Sequence, residues 1–157
     1  MTISSKISIP FYPVPMTLQT LVVFFIAASM GMIGFYSTFI YVVLGVLGLP
    51  LFANGGGIGY IFSPTFGFLY GMVISAFIIA YILKSEVKTG LIKLSATIFA
   101  GAFVIFLCGI SHLSFFVGLE QAINLGLLPF LYSEFLKIVL AIAIIFGLIQ
   151  RVNQKNS

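Results

Sequence analysis

The sequence has very little charge. Only 6% of its 157 residues are charged, with seven Lys and Arg against three Asp and Glu, whereas 61% are hydrophobic and the mean hydropathy is +1.26. Soluble globular domains carry about 25% charged residues, so an ordinary soluble domain is excluded. The composition predicts a single integral membrane domain over residues 1–157.

Reactive side chains are equally scarce. Cys108 is the one cysteine and His112 the one histidine. A disulfide within the chain is therefore excluded, and the sequence has no Cys/His spacing typical of a metal site. It also has no nucleophile motif and no phosphate-binding GxxxxGK[ST] motif. We expect no enzyme activity, no metal and no resident cofactor, and any ATP would be used by partner subunits.

Long apolar runs separated by short breaks favour membrane helices over a β-barrel, whose strands are about ten residues long and alternate in polarity. We predict an all-α, polytopic membrane bundle with five spans after an extended, proline-rich start. The predicted helices cover residues 17–32, 35–48, 64–83, 91–110 and 132–152, with a short interfacial helix at 118–125. Thr17 and Ser63 are the expected N-caps of the first and third helices. Gly31 and Gly34 are expected to form the first break.

Basic residues lie beside the ends of the apolar runs, which is a topology signal and not a nucleic-acid footprint. Lys84, Lys88 and Lys93 surround one turn, and Arg151 and Lys155 follow the last helix. The positive-inside rule assigns both places to the cytoplasm, as in a multi-pass protein of the inner (cytoplasmic) cell membrane. The proline-rich start, residues 50–65 and residues 111–133 then converge on the outer face, although a single lysine near the start opposes this assignment weakly.

Residues 50–65, PLFANGGGIGYIFSPT, form a glycine-rich stretch that we call the glycine loop. Irregular backbone at membrane depth is tolerated where it is buried in protein or lines a cavity, so the loop is a candidate ligand site. Asn54 offers amide donors and an acceptor, and Tyr60 a ring and a hydroxyl. The glycines that let a ligand approach the backbone are Gly55, Gly56 and Gly57. The alternatives are a flexible turn around Asn54 and a membrane-interface anchor at Tyr60.

Glu134 and Lys137 lie three residues apart near the outer end of the last helix, so they project from nearly the same face. Ionisable side chains inside a membrane are costly and usually face a bundle interior or a cavity. An interfacial ion pair is the alternative. Gln19 is predicted at the same level, either contacting ligand or bonding another helix. Gly67 and Gly71 form a small-xxx-small step that favours helix packing.

The order of motifs closely resembles the BioY family over nearly the whole chain. The matching segments are Ile9-Pro10, VPMTLQTL at 14–21, GVLGLPLFA at 45–53, PTFGF at 64–68 and LPFL at 128–131, followed by Glu134 and Lys137. BioY proteins are the biotin-binding S components of energy-coupling factor (ECF) transporters. The resemblance implies a compact helical domain that binds biotin near the outer surface, under loops that act as a gate. It implies docking to a transmembrane coupling subunit and two ATPase subunits, followed by toppling in the membrane to release biotin inside.

By this resemblance, Asn54 and the Glu134/Lys137 pair hold the polar parts of biotin. Two motifs differ from the family pattern. Ser133-Glu134 stands where the family usually has Gly-Asp, and Phe66 replaces a glycine of GPTGG. The family has six helices, and its first precedes the Ile-Ser-Ile-Pro segment, so we expect five helices here and a missing first helix.

Three functions follow from these observations. The leading one is capture of biotin for uptake by a high-affinity membrane subunit. The second keeps the fold but binds another vitamin or a biotin precursor. The third is a structural membrane subunit without transport activity.

Overall fold

The computed structural model describes residues 1–9, 13–84 and 89–155. Helices account for most of this part of the chain, as predicted. The elements, in chain order, are α1 (Thr2–Lys6), β1 (Ser8–Ile9), β2 (Met16–Thr17), α2 (Gln19–Met30), α3 (Met32–Val46), a 3-10 helix (Ile58–Phe62), α4 (Phe66–Leu83), α5 (Leu91–Val117), α6 (Leu119–Gly126) and α7 (Leu128–Lys155). The two short strands pair antiparallel, with Ser8 opposite Thr17 and Ile9 opposite Met16.

Five apolar helices occupy the predicted places, which confirms the all-α membrane bundle. Within the described residues, three are long and apolar enough to cross a membrane: α4, α5 and, within α7, residues 128–151. Each has a mean hydropathy above 2 over its best window. The helices α2 and α3 are apolar but shorter, with 12 and 15 residues.

Several helix boundaries differ from the predictions. The first break is Gly31 alone, whose φ of 57° favours glycine, and Gly34 lies inside α3. α5 continues seven residues past the predicted end, to Val117, and stops at Gly118 with φ of 82°. The last helix begins four residues early, because Pro129 fits the first turn of a helix, where its missing N–H costs nothing.

The start of α4 is also corrected. Ser63 was the expected N-cap, but the helix begins at Phe66 after Thr65, and neither residue caps it through a side chain. Thr17 does accept a hydrogen bond from the Gln19 amide, at 3.3 Å, although α2 begins at Gln19. The predicted break at 84–89 is described only at its ends, because residues 85–88 lie outside the described part, as does Pro10.

The main core lies between α2, α4, α5 and α7 and is built from fully buried apolar side chains such as Phe24, Ile79 and Ile98. α4 and α5 approach closely at Gly67, where a Cβ would lie 2.3 Å from His112 Cβ. This confirms that the small residues of α4 serve packing. The helix starts of α2, α4 and α7 and the second half of α5 surround a cavity at one end of the bundle.

Candidate functional site

The cavity is enclosed by the chain segments that were predicted to converge. Its wall includes Val14 and Pro15 before α2, Phe52 and Ala53 of the glycine loop, and Phe130 of α7. The remaining apolar lining comes from α4 and α5: Phe68, Leu69, Met72, Ile105 and Phe106. The polar lining is Thr17, Gln19, Thr20, Tyr60, Thr65, Glu134 and Lys137. A mostly apolar cavity with a few convergent polar groups is the usual form of a small-molecule site.

The ion pair of α7 forms the polar wall of this cavity. Lys137 Nζ lies 2.6 Å from Glu134 Oε2, and the two side chains are only 11% and 5% exposed, respectively. The pair is therefore buried, and the alternative of an exposed interfacial pair does not describe this structure. Buried charges are retained in proteins when they are paired and hydrogen-bonded.

The ammonium group of Lys137 has a partner for each of its three protons. Besides the carboxylate, it donates to the Thr17 carbonyl and to Thr20 Oγ1, each at 3.0 Å. An ammonium has three donors and no acceptor, so this set uses its full capacity. Lys137 thus fixes the Glu134 side chain against α2.

Only one of the two carboxylate oxygens of Glu134 has a partner within the described residues. Oε2 meets Lys137, whereas Oε1 is buried and has no hydrogen-bond partner within the described residues. A buried acceptor without a partner costs about 1–3 kcal/mol, and more when it is charged. Because Glu134 lines the cavity, Oε1 is a strong acceptor available to a ligand that carries an N–H or O–H group.

Two further predicted residues also line the cavity. The Gln19 side chain is 4% exposed, donates to the Tyr41 hydroxyl at 2.9 Å and accepts from Thr17 Oγ1 at 3.1 Å. Gln19 therefore makes the predicted hydrogen bond to another helix and also lines the cavity. The Tyr60 hydroxyl accepts from Thr65 Oγ1 at 3.3 Å, and its ring packs on Phe52 with centroids 4.6 Å apart.

The structure places Asn54 differently from these four residues. Phe52 and Gly55 exchange two backbone hydrogen bonds, which makes a tight turn with Ala53 and Asn54 at its tip. Asn54 is exposed, and the cavity lining includes Ala53 but neither Asn54 nor the three glycines. Gly55 closes the turn, Gly56 and Gly57 follow it, and the Gly57 N–H donates to the Gly45 carbonyl of α3 at 2.7 Å. A ligand contact by Asn54 and these glycines stays a prediction.

Sequence reasoning missed the hydroxyl side chains of Thr20 and Thr65 and the aromatic wall. Thr17 was assigned only a capping role, yet its backbone carbonyl also holds Lys137. One signal was available: Thr17 and Thr20 lie one turn apart and flank Gln19. Three polar residues within four positions, where an apolar helix starts, indicate a polar face directed into the bundle.

These features define a helical membrane protein with a mostly apolar cavity at one end of its bundle, whose wall contains a buried carboxylate. The chain belongs to the BioY family, whose sequence profile matches residues 1–154. It is 38% identical over 142 residues to the protein named biotin transporter BioY from Thermotoga maritima, covering 88% of this chain and 83% of that one. It is 37% identical over 145 residues to the probable biotin transporter BioY of Pyrococcus horikoshii, covering 91% and 85%.

A solved structure has the same fold. It is the crystal structure of an S component for biotin from an ECF-type ABC transporter, which superposes with a TM-score of 0.79 at 23% identity. The match covers 91% of this chain and 79% of that chain. The all-α bundle found here is thus the S-component fold.

Proposed function

We propose that this chain captures biotin for uptake, as the substrate-binding S component of an ECF-type transporter. Family membership and the two relatives named as biotin transporters support this function. The chain is then a transporter subunit and not an enzyme. The observation that carries the ligand assignment is the unpartnered, buried Oε1 of Glu134 in a mostly apolar cavity.

The chemistry of biotin complements this cavity. Its fused rings are apolar except for the ureido group, which presents N–H donors beside a carbonyl acceptor. A ureido N–H that donates to Glu134 Oε1 would satisfy the orphaned acceptor with a charge-assisted hydrogen bond. Aromatic side chains such as Phe52, Phe68 and Phe130 would enclose the rings. Gln19 and Tyr60 are the further polar groups that we assign to the site.

Lys137 has a positioning role in this proposal. Its three donors are occupied by Glu134, Thr17 and Thr20, so it orients the carboxylate and does not itself hold the ligand. The resemblance, by contrast, implies that both members of the pair hold the polar parts of biotin. Asn54 lies at the tip of the turn in the glycine loop. If this turn moves towards the cavity, Asn54 with Gly55, Gly56 and Gly57 would form the outer rim of the site.

Glu134→Gln tests the ligand contact with a nearly isosteric change. The amide oxygen would face Lys137, so the amide nitrogen would replace Oε1 and present donors to the donors of the ureido group. We expect biotin affinity to fall by at least about 30-fold, measured with radiolabelled biotin on the purified protein. Glu120→Gln is the matched control, because Glu120 is exposed on α6 and outside the cavity lining.

Unchanged affinity in Glu134→Gln would remove this carboxylate from the site. Competition by unlabelled vitamins and by biotin precursors tests the second function, which is binding of another vitamin or a precursor. A compound that competes more strongly than unlabelled biotin would be the assigned ligand in place of biotin. Absence of any biotin-dependent rise in thermal stability would favour a structural subunit, because a ligand that binds only the folded state stabilises it.

We further propose that the protein resides in the inner cell membrane with the cavity at the outer face, and that a coupling subunit and two ATPase subunits drive release. The basic residues Lys84, Lys93 and Arg151 at the opposite end support this orientation. A fluorescent protein fused after residue 157 should fluoresce, and alkaline phosphatase fused there should be inactive. The reverse pattern would invert the topology. Uptake in cells with and without the three partner subunits tests their role.

A further inference from the structure

A continuous chain of hydrogen bonds connects the ion pair to the glycine loop. Lys137 donates to the carbonyl of Thr17, whose hydroxyl donates to Gln19 Oε1 at 3.1 Å. Gln19 Nε2 then donates to the Tyr41 hydroxyl, and that hydroxyl donates to the carbonyl of Leu51, both at 2.9 Å. All of these hydrogen bonds are donated in the direction from α7 towards the loop, and the two that share the Tyr41 hydroxyl strengthen each other.

Tyr41 joins this chain to the loop from outside the cavity. It lies in the middle of α3, is 5% exposed and does not line the cavity. Its ring packs edge-on against Phe52, with centroids 5.6 Å apart. The residue therefore touches the loop twice, once through its hydroxyl on the main chain and once through its ring on a residue of the cavity wall.

The N-terminal segment holds the same part of the loop. Ser5 Oγ lies 2.6 Å from the Leu51 carbonyl and 2.7 Å from the Thr2 carbonyl of its own helix, so these two acceptors share its one proton. Lys6 Nζ donates to the Phe52 carbonyl at 2.7 Å. Ser5 is fully buried. The single loop carbonyl of Leu51 thus accepts from two side chains that belong to different elements, Ser5 of α1 and Tyr41 of α3.

Phe52 connects the anchored loop backbone to the wall of the cavity. Its side chain is 1% exposed, lines the cavity and packs against Tyr60, also a lining residue. The ring fills the space beside Gly45, where an added Cβ would lie 2.2 Å from it. Movement of residues 51 and 52 would therefore move two aromatic walls of the site at once.

We propose that Tyr41 is a positioning residue, which together with Ser5 and Lys6 fixes Leu51 and Phe52 and so slows the escape of bound ligand. The part concerning the ligand rests on the proposed function. Tyr41→Phe removes only the hydroxyl and keeps the ring packing. We expect the dissociation rate of biotin to rise about tenfold with a nearly unchanged association rate, because affinity changes within one site fall mainly on dissociation.

The first measurement needs no ligand. Hydrogen exchange followed by mass spectrometry should show faster exchange over residues 51–57 in unliganded Tyr41→Phe, with the helices α4 and α5 unchanged. Tyr70→Phe is the matched control: its hydroxyl donates to the Cys108 carbonyl at 3.2 Å, away from the cavity lining. That variant should leave both loop exchange and dissociation at wild-type values.

Unchanged loop exchange in Tyr41→Phe would overturn the anchoring role, and so would an equal rise over the whole bundle, which indicates general destabilisation. Faster loop exchange without faster dissociation would overturn the effect on the ligand. If the wild-type protein binds no biotin, the proposed function fails, and so does the proposal that Tyr41 slows ligand escape. Hydrogen exchange in the loop still tests whether Tyr41 anchors Leu51 and Phe52.

Ser5→Ala gives a second, independent test from the N-terminal segment. It should reproduce the faster loop exchange, and the double variant with Tyr41→Phe should exceed either single variant, since the Leu51 carbonyl then loses both side-chain donors. Ser4→Ala is its control, because Ser4 Oγ donates to the Met1 carbonyl inside α1 and does not reach the loop. Equal exchange in Ser4→Ala and Ser5→Ala would contradict the proposal.

Discussion

Lys137 Nζ and the carbonyl oxygen of Thr17 lie 3.0 Å apart, although 120 residues separate them in the sequence. This contact ties the first half of α7 to the segment just before α2, across the polar wall of the cavity. It also places the cation where it compensates Glu134 inside a largely apolar bundle. Substitutions in α7 and at the start of α2 therefore both test the role of the ion pair.

Lys137→Ala should abolish high-affinity biotin binding. The substitution leaves the Glu134 carboxylate buried without its cation, and removing one partner of a buried pair typically costs about 3–5 kcal/mol. We expect affinity to fall by at least about 100-fold, measured by equilibrium binding of radiolabelled biotin.

Lys93→Ala provides the control, since Lys93 lies in the first turn of α5, outside the cavity lining. The double variant Glu134→Leu/Lys137→Leu should recover the thermal stability that Lys137→Ala loses, while still failing to bind. Wild-type affinity in Lys137→Ala would remove Lys137 from the site.

Thr20→Val removes the hydroxyl that accepts a hydrogen bond from Lys137 while keeping the shape of the side chain. One ammonium proton then loses its acceptor, at a cost of about 1–3 kcal/mol shared between stability and binding. We expect biotin to bind about 5- to 20-fold more weakly in the equilibrium assay.

Thr38→Val makes the same change at another buried threonine. The Thr38 hydroxyl donates to the Gly34 carbonyl of its own helix and lies outside the cavity lining. This variant should bind biotin as the wild type does. Equal losses in the two variants would show that the Thr20 effect is not specific to the site.

Gly67→Ala should destabilise the bundle. A Cβ at this position would lie 2.3 Å from His112 Cβ and 2.8 Å from the Cys108 carbonyl oxygen, so α4 and α5 must separate. Overpacking of this kind costs about 1–3 kcal/mol and should lower the melting temperature in a size-exclusion thermostability assay.

Gly147→Ala is the matched control on α7, where an added Cβ meets nothing within 4 Å. Because alanine favours helices over glycine by about 1 kcal/mol, this variant should melt at the wild-type temperature or slightly above it. A lower melting temperature in Gly147→Ala than in Gly67→Ala would contradict the packing argument.

Asn54→Ala decides between two positions of the turn. With the turn in the described conformation Asn54 is exposed at the tip, and an exposed substitution changes free energies by about 0.5 kcal/mol or less, so a change in affinity of no more than about twofold would contradict the rim contact proposed above. A tenfold loss of biotin affinity would instead place Asn54 in contact with the ligand, with the turn folded over the cavity.

The helical bundle and the ion pair were accessible from sequence because charge is so scarce in this chain. Glu134 and Lys137 stand out against their apolar neighbours, and their spacing of three residues places them on one face. Their partners Thr17 and Thr20 did not stand out, since hydroxyls are common in membrane helices and bond their own backbone. That Lys137 meets these residues is a consequence of how α2 and α7 pack.

For the glycine loop, prediction from sequence is limited in a different way. Its polarity identified it correctly as part of a cavity wall, but the residues that face inward are Phe52, Ala53 and Tyr60. The backbone bonds between Phe52 and Gly55 turn Asn54 away from the cavity. A run of glycines permits many turns, so composition alone does not determine which side chains such a loop directs inward.

The loop is anchored through main-chain carbonyls at Leu51 and Phe52, to which Ser5, Lys6 and Tyr41 donate. A carbonyl is present whatever side chain its residue carries. The walls that the loop presents to the ligand can therefore change by substitution while the attachment of its backbone persists. New ligand preferences could thus arise, in evolution or by engineering, through exchange of Phe52 or Ala53 without rebuilding the scaffold that supports them.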